Sequence, residues 1–483
     1  MRVKLAGFNV DSEILKQITR SGLAAVTPET LSAAYARISR SPLPIDQLRK
    51  KACQDVQKAR KSNQKIIFAM GHHSVAEHAV FNFDIMGISR LALEEIERFR
   101  LVSYTEKSQR YVTLAGDYIL PREITDPALK KLFQATIQRQ NHFYAKAYAR
   151  ITGHLQKKYS RAGKNGPEQK LLEGTAKEDA RYILSLATEG QVGMTINARN
   201  LEHLFRHCKR SPREEVRKLA EKLYALVVPI APSIILFPEP SAFDRDAVAA
   251  LKEHLHTVPA AQTADASQEP EIVAYTQNGD DLILASFLSM GKNLSFPIAL
   301  GIIQKTSLAE KKIMFSDFFQ KIQFFDAPPR EFEMADITFQ ALISAANFAQ
   351  LKRHRLATLM AGDYLPEFGN TLPASVAAAG LGDEFGKIIE QTNNVFLKIK
   401  AACGPAADYV LTNSHRRRVL MKMNLREMYH FVRLRDDEHA QWDIRRLAHQ
   451  LSEKIKTIMP LSAMMLCGKS GFDQEYKKNY PET

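Results

Sequence analysis

"GHHSVAEHAVFNFDIMGISRLALEEIERFRLVSYTEKSQRYV", Gly71 to Val112, decides the class of fold. Its "FNFDIMGIS" is a short run of aromatic and branched residues interleaved with polar ones, as a strand requires. The following "LALEEIERFRLVSYTEKSQRY" reads with helical periodicity, Leu91, Ile96 and Phe99 marking an approximate apolar face. "NLEHLFRHCKR" at Asn200 shows the same period again. Short strands alternating with helices predict an α/β (α+β) protein with helices packed on a mainly antiparallel sheet.

At 483 residues, 45% of them hydrophobic, the chain is long enough for two or more domains with cores of their own. The four cysteines, Cys53, Cys208, Cys403 and Cys467, are far apart and form no CxxC, so neither a disulfide framework nor a zinc site is indicated. No signal-like N-terminus and no long apolar run is present, so a soluble, cytoplasmic protein without a membrane partner is expected. The net charge of +14 points to anionic partners. Because the basic residues are spread rather than blocked, nucleic acid is disfavoured against small phosphates.

Composition shifts at "DRDAVAALKEHLHTVPAAQTADASQEPE", Asp244 to Glu271, where periodicity is lost as in a linker. On both sides the chain restarts alike, with "VKLAGFNVDSEIL" at Val3 and "EIVAYTQNGDDLIL" at Glu271. Ser89 precedes Arg98 by the same interval as Ser344 precedes Arg353, and Arg181 precedes Asn197 by the same interval as Asp408 precedes Asn424. Three matches in one order indicate a tandem duplication: a first repeat over 1–243, a linker over 244–270 and a divergent second repeat over 271–483.

"RFRLVSYTEKSQRY", Arg98 to Tyr111, gathers Arg98, Arg100, Lys107 and Arg110 with Ser103 and Ser108. Guanidinium forks and hydroxyls of this kind bind phosphate oxygens. Glu106 would repel phosphate and suits a ribose hydroxyl, a base N–H or an arginine. A solvated basic face paired with acidic neighbours explains the spacing equally well. "GHHSVAEH" suggests metal by composition, but His73 and His78 are five apart, off a single helical face, so no metal is expected and a ligand-bonding loop or strand edge is preferred. His203 and His207 stand one helical turn apart without the HExxH order.

These residues resemble the flavin-dependent thymidylate synthases, whose signature is Arg-His-Arg, seven residues, then Ser. Here it reads Arg98-Phe99-Arg100 and then Ser108, with GHxSxxEH, "GISR", "SQRYV" and "TINARNLEHLF" in the family's order. The second half keeps Arg353-His354-Arg355, but Asp363 replaces the serine and "DAPPREFE" replaces GHxSxxEH. Its "NLREMYHFVRLRDDEHAQWDIRRLA", Asn424 to Ala448, is very similar to the family's C-terminal motif, which the first half has lost.

The resemblance implies conversion of dUMP to dTMP with methylenetetrahydrofolate as carbon donor, NADPH as reductant and FAD between them. It also implies one composite nucleotide site, with Glu106, Ser108, Arg110 and Arg181 from the first repeat and Gln350, Arg353 and Arg435 from the second. Ser108 and Arg435 are the expected catalytic residues, Arg435 polarising the uracil. The flavin is expected at Ser74, Asn197, Arg199 and His203, with Arg98, Arg100 and Glu106 and with His354 and Arg355 of the other repeat. Phe99 stands where the signature histidine should be, so His354 is expected as the working copy. The reciprocal pairing sets Glu95 and Cys208 against Ala361, Asp363, Leu365 and Asp408 and is expected to be dead, its aspartates repelling a phosphate. In this family's tetramers sites form between subunits, so a homodimer of chains mimicking a tetramer of repeats is implied. A degenerate homologue that binds flavin or nucleotide without turnover is the main alternative, and flavin-dependent methylation of another uridine nucleotide is a further one.

Overall fold

The computed structural model describes residues 1–17, 27–38, 41–110, 112, 114, 116–158, 167–258 and 269–481. The chain divides into two compact units, Met1–Thr263 with Ala374–Thr412, and Ala264–Pro373 with Asn413–Thr483. The divisions at 243 and 271 follow the repeats of sequence, whereas the compact units give a stretch of the second repeat to the first unit. Within the expected linker, Val248–His256 is a helix, and 259–268 lies outside the described residues.

The first unit holds a four-stranded sheet of β1 (Arg2–Phe8), β2 (Val80–Ser89), β3 (Val102–Glu106) and β4 (Glu189–Asn197), in the order β1-β2-β4-β3. Every pairing is antiparallel, with Phe83 opposite Met194 and Val102 opposite Ile196. Phe81, Phe83 and Ile85 alternate inward on β2, as do Val192, Met194 and Ile196 on β4. They pack beneath Leu201, Leu204 and Phe205 of the helix Ala198–Cys208 and Val216, Leu219 and Leu223 of the helix Glu214–Val227. A bulge interrupts β2 between Met86 and Ile88. Gly87 takes φ +68° there, a left-handed conformation in which a β-carbon would be strained.

The stretch after β2 departs from the helical reading. Only Arg90–Ile96 is helical; the chain then turns and enters β3. Val102, Tyr104 and Thr105 favour a strand, and β4 offers an edge for them to pair with, which outweighs an imperfect helical face.

The second unit repeats the plan with β5 (Glu271–Tyr275), β6 (Asp336–Ser344), β7 (Thr358–Tyr364) and β8 (Arg416–Asn424), ordered β5-β6-β8-β7 and again antiparallel. Matched polar residues close matched corners in the two units. Ser89 caps the helix Arg90–Ile96 and its hydroxyl donates to Glu215 at 2.6 Å; Ser344 caps Ala345–Leu351 and donates to Asp443 at 2.6 Å. Asn197 and Asn424 cap Ala198–Cys208 and Leu425–Arg435. Glu29 accepts from the backbone and hydroxyl of Ser233, as Asp280 does from those of Ser462. Each acceptor takes up a donor at the start or end of an element, which fixes where one element enters the next.

Residues 374–412 complete the first unit. The helix Gly382–Cys403 packs along Pro127–Lys158, with Phe385 edge-on to Phe143 at 5.9 Å. Gln140 donates to both the Thr392 hydroxyl and the Val410 carbonyl at 3.0 Å. Beyond it, Leu186 N–H donates to Leu411 at 2.7 Å and Ala187 N–H to Tyr409 at 3.0 Å.

Candidate functional site

In the first unit β3 delivers Glu106 at its C-terminal end, opposite Val192, and the turn beyond carries Ser108 and Arg110. Ser108 Oγ accepts the Arg110 backbone N–H at 3.1 Å, and Arg110 Nε donates to Glu178 at 2.5 Å. Arg181, only 6% exposed, follows the helix Pro167–Ala180. Burial lowers the pKa of its guanidinium, with Arg110 and Arg90 acting the same way and Glu178 opposing them. A cluster of cations around one carboxylate therefore lies beside the hydroxyl of Ser108. Glu178 escaped the sequence reading; its signal is its place one turn before Arg181.

Arg98 and Arg100 are exposed in the turn before β3, while Phe99 points inward and lies edge-on to His207 at 5.7 Å. Burial and then Arg98 push His207 down to about 4, against Glu95. A neutral ring on a phenylalanine replaces the hydrogen-bonding histidine of the signature.

The expected flavin residues of this unit share one region. Ser74 lies in the turn His73–His78, which packs against the helix Ala198–Cys208 that carries Arg199 and His203. Arg199 pairs with Glu77 of the same turn at 2.5 Å. Burial, followed by Arg199, lowers the pKa of His203 and favours its neutral form. Asn197 Oδ1 is committed to the helix start, accepting from Asn200. Among the described residues no group of three or more His, Cys, Asp or Glu side chains is arranged to hold a metal ion.

In the second unit Gln350, Arg353, His354 and Arg355 end the helix Ala345–Leu351, and Arg435 ends Leu425–Arg435. Arg435 Nε donates to His354 Nε2 at 2.9 Å, and its Nη2 donates to the Gln350 carbonyl at 3.2 Å. His354 Nδ1 faces Glu427 Oε1 at 3.6 Å, and the ring stands edge-on to Phe431 at 4.9 Å. His354, expected against the flavin, is thus 5% exposed and engaged inside its own unit. Burial lowers its pKa, Glu427 opposing and Arg435 assisting. Gln350 Nε2 reaches toward Gln441 Oε1 at 3.5 Å, and its own Oε1 is buried without a hydrogen-bond partner. Arg353 is exposed and Arg355 half-buried in the turn between the helix and β7. Glu427 and Gln441 both sit inside the recognised motif but drew no separate notice.

The residues of the reciprocal set that lie in the first unit are closed by a pairing not foreseen. Arg213, at the start of the helix Glu214–Val227, holds Asp408 at 2.5 Å and Glu95 at 3.2 Å. Burial alone would lower the Arg213 pKa, but Asp408 and Glu95 raise it above its ordinary value. Asp408 was expected to repel a phosphate; it is instead neutralised from within. Tyr409 extends the network by donating to Glu215 at 2.8 Å. Cys208 is fully buried and its thiol pushed up by burial, then by Glu95, so it is an inert core residue. Asp363 lies exposed on β7 of the second unit.

A family model described as "Thymidylate synthase complementing protein" matches residues 23–233 and again 271–461. The flavin-dependent thymidylate synthase of Clostridium tetani is 33% identical over 219 residues, which span 44% of this chain and 83% of that protein. That of Geobacter sulfurreducens is 34% identical over 214 residues, 43% and 80% of the two chains. UPF0159 protein Ta1429 of Thermoplasma acidophilum is 23% identical over 438 residues, 82% of this chain and 86% of that protein, so its likeness runs through both repeats. A solved UMP/dUMP methylase, PolB of Streptomyces cacaoi, aligns at 18% identity with a TM-score of 0.34 over 48% of this chain and 92% of that one, too weak a likeness to carry an argument.

Proposed function

The chain belongs to the thymidylate synthase complementing protein family, with the domain present twice in tandem, and from that premise we propose that it methylates dUMP to dTMP. Methylenetetrahydrofolate is the proposed carbon donor and NADPH the reductant. The observation that carries the reading is the complementary survival of motifs: Glu106, Ser108, Arg110 and Arg181 in one repeat, Gln350, Arg353 and Arg435 in the other. One nucleotide site drawn from both repeats follows, and the reciprocal set does not bind nucleotide.

The donors suit such a substrate. Ser108, Arg110 and Arg181 would take the dianionic phosphate, Glu178 holding Arg110 in place between turns of binding. Glu106 would accept from the nucleoside. Arg435 would donate to the uracil and stabilise negative charge as it develops on the ring. The unpartnered, buried amide oxygen of Gln350 calls for a donor, and the nucleotide would supply one.

The residues present also fit FAD. Ser74 of the turn His73–His78 and Arg199 and His203 of the helix it packs against bring a hydroxyl, a cation and a neutral imidazole to one region, where the dipole of the helix start favours a pyrophosphate. Asn197, Arg98, Arg100, Glu106 and Arg355 complete the proposed set. The bound flavin would supply the redox chemistry that no side chain of this chain offers. The protein's part is to orient the nucleotide, exclude water and polarise the base. We further propose that the chain forms a homodimer equivalent to a tetramer of repeats, which light scattering checks.

The test is the purified protein's visible spectrum with and without added FAD, followed by growth of a thymidine auxotroph carrying the gene. A flavin spectrum with growth supports the reading. Absence of both sinks it, and a flavin spectrum without growth identifies a binding protein that has lost turnover.

A further inference from the structure

Glu427 and His354, both buried, and the half-buried Arg435 form a line in the second unit, from carboxylate to imidazole to guanidinium, with separations of 3.6 Å and 2.9 Å. Glu427 is 9% exposed and His354 5%. A neutral imidazole has one donor and one acceptor. Because Nε2 accepts from Arg435, the ring proton belongs on Nδ1, the nitrogen that faces the carboxylate. The Arg435 donation thereby fixes the tautomer, and Glu427, 3.6 Å from Nδ1 and beyond hydrogen-bond reach, favours it through its charge. With Nε on His354 and Nη2 on the Gln350 carbonyl, two of the three guanidinium nitrogens are anchored and the plane of the group is set.

The other repeat supplies an internal control. The capping serines and asparagines align the two units, so that Phe99, Asn200 and Cys208 occupy the places of His354, Glu427 and Arg435. All three members are replaced together. Phe99 lies on His207, Asn200 turns back to donate to Asn197 Oδ1 at 2.9 Å, and Cys208 is fully buried. Five basic neighbours are kept: Arg98 and Arg353, Arg100 and Arg355, Arg199 and Arg426, His203 and His430, Arg206 and Arg433 all match. Joint loss of the three linked residues, with these cations and the histidine kept around them, is what a working unit shows once its site is abandoned.

We propose that His354 and Glu427 are positioning residues that hold the Arg435 guanidinium in one orientation toward the pyrimidine ring of the substrate, which rests on the dUMP reading above. Neither touches the substrate in this scheme; both act through Arg435. Protonation of His354 removes its lone pair and sets a second cation against the guanidinium, releasing it. The charged and titratable groups that act on the ring are Glu427, Arg435 and His430 of the facing helix, and its own turn carries the buried Lys352 and, nearer solvent, Arg353 and Arg355. Asp443 of the helix packed behind is taken up by Ser344, and Gln441 at that helix's start carries no charge.

The variants are His354→Phe, His354→Gln, Glu427→Gln, Arg435→Ala and His354→Phe combined with Arg435→Ala, read by dUMP affinity, kcat and KM against pH in the flavin-loaded enzyme. His354→Phe should raise the KM for dUMP by about 10–100-fold, a group displaced by about an ångström being enough for such a loss. Added to Arg435→Ala it should cost nothing further, because both changes remove one interaction. His354→Gln keeps an acceptor and should stay within about fivefold of wild type while losing the acid limb of the pH profile, since an amide does not titrate. Additive losses, a His354→Gln variant as impaired as His354→Phe, or an unchanged acid limb would each overturn the proposal. If the wild type fails to bind dUMP, the substrate reading falls, and imidazole nitrogen NMR still decides the geometry. Protonated Nδ1 with bare Nε2 on His354, perturbed by Arg435→Ala, supports the line; the opposite tautomer overturns it.

Discussion

Replacing Arg213 with methionine removes the cation that sits between two carboxylates while nearly preserving volume. The side chains of Arg213, Glu95 and Asp408 are 16%, 14% and 7% exposed, so water does little to screen what is left. Deleting one partner of a buried pair costs about 3–5 kcal/mol, because the remaining charge loses its compensation without regaining water. For a domain of a few hundred residues each kcal/mol moves the midpoint by about 2–4 °C, so the transition of the first unit should fall by roughly 6–20 °C. Calorimetry on the whole chain reads this directly. The companion variant, Glu95→Gln with Arg213→Met and Asp408→Asn, removes all three charges and should lie within about 2 kcal/mol of wild type, since a buried ion pair contributes little against neutral isosteres. Acidification should narrow the gap between single variant and wild type as the stranded carboxylates take up protons. A single variant indistinguishable from wild type, or a triple variant as damaged as the single, would refute the reasoning.

For the nucleotide, Arg110→Ala and Arg435→Ala should each weaken dUMP binding by at least about 30-fold, the usual cost of removing one side of a charge-assisted contact, and Asp363→Ala should leave it unchanged by calorimetric titration. Burial depresses His207 to about 4, so between about pH 6.5 and pH 4 the unfolded chain binds a proton that the folded chain does not. Stability should therefore fall as pH drops through that window, by up to about 3 kcal/mol from this residue. His203 and His354 are depressed too and add in the same direction, and His207→Leu should make the acid slope shallower in urea titrations. Ser344→Ala strips a helix cap and a hydroxyl donor from buried Asp443, which should cost about 1–3 kcal/mol. Trp442, the single tryptophan, adjoins Asp443 and reports that unfolding by fluorescence.

The duplicated plan was legible because its landmarks are local. Ser89 and Ser344, or Asn197 and Asn424, mark helix starts within their own few residues, and a shared interval between such marks survives divergence elsewhere. Strand β3 was not legible, because "LVSYTE" reads as strand only once β4 is known to lie beside it. Arg213 was missed for a related reason. Its partners are 118 and 195 residues away, and only the fold brings them to it. From sequence Asp408 is a lone acid opposite an anion; in space it is half of an ion pair. His354 was noticed through its motif, but the motif says nothing of which way a ring faces, and burial turned an expected ligand contact into an internal one.

The inclusion of residues 374–412 in the first unit bears on the order of events during synthesis. A nascent chain that has reached Thr263 already contains all four strands of its first sheet. It still lacks the helix that covers Gln140 and Phe143 and the backbone partners of Leu186 and Ala187. The first repeat must therefore wait on the ribosome, its apolar flank uncovered, until more than a hundred further residues have emerged. A gene cut between the repeats would leave the earlier fragment without this helix and these backbone partners until the later fragment supplied them, so the two repeats are bound by a shared core as well as by the peptide bond.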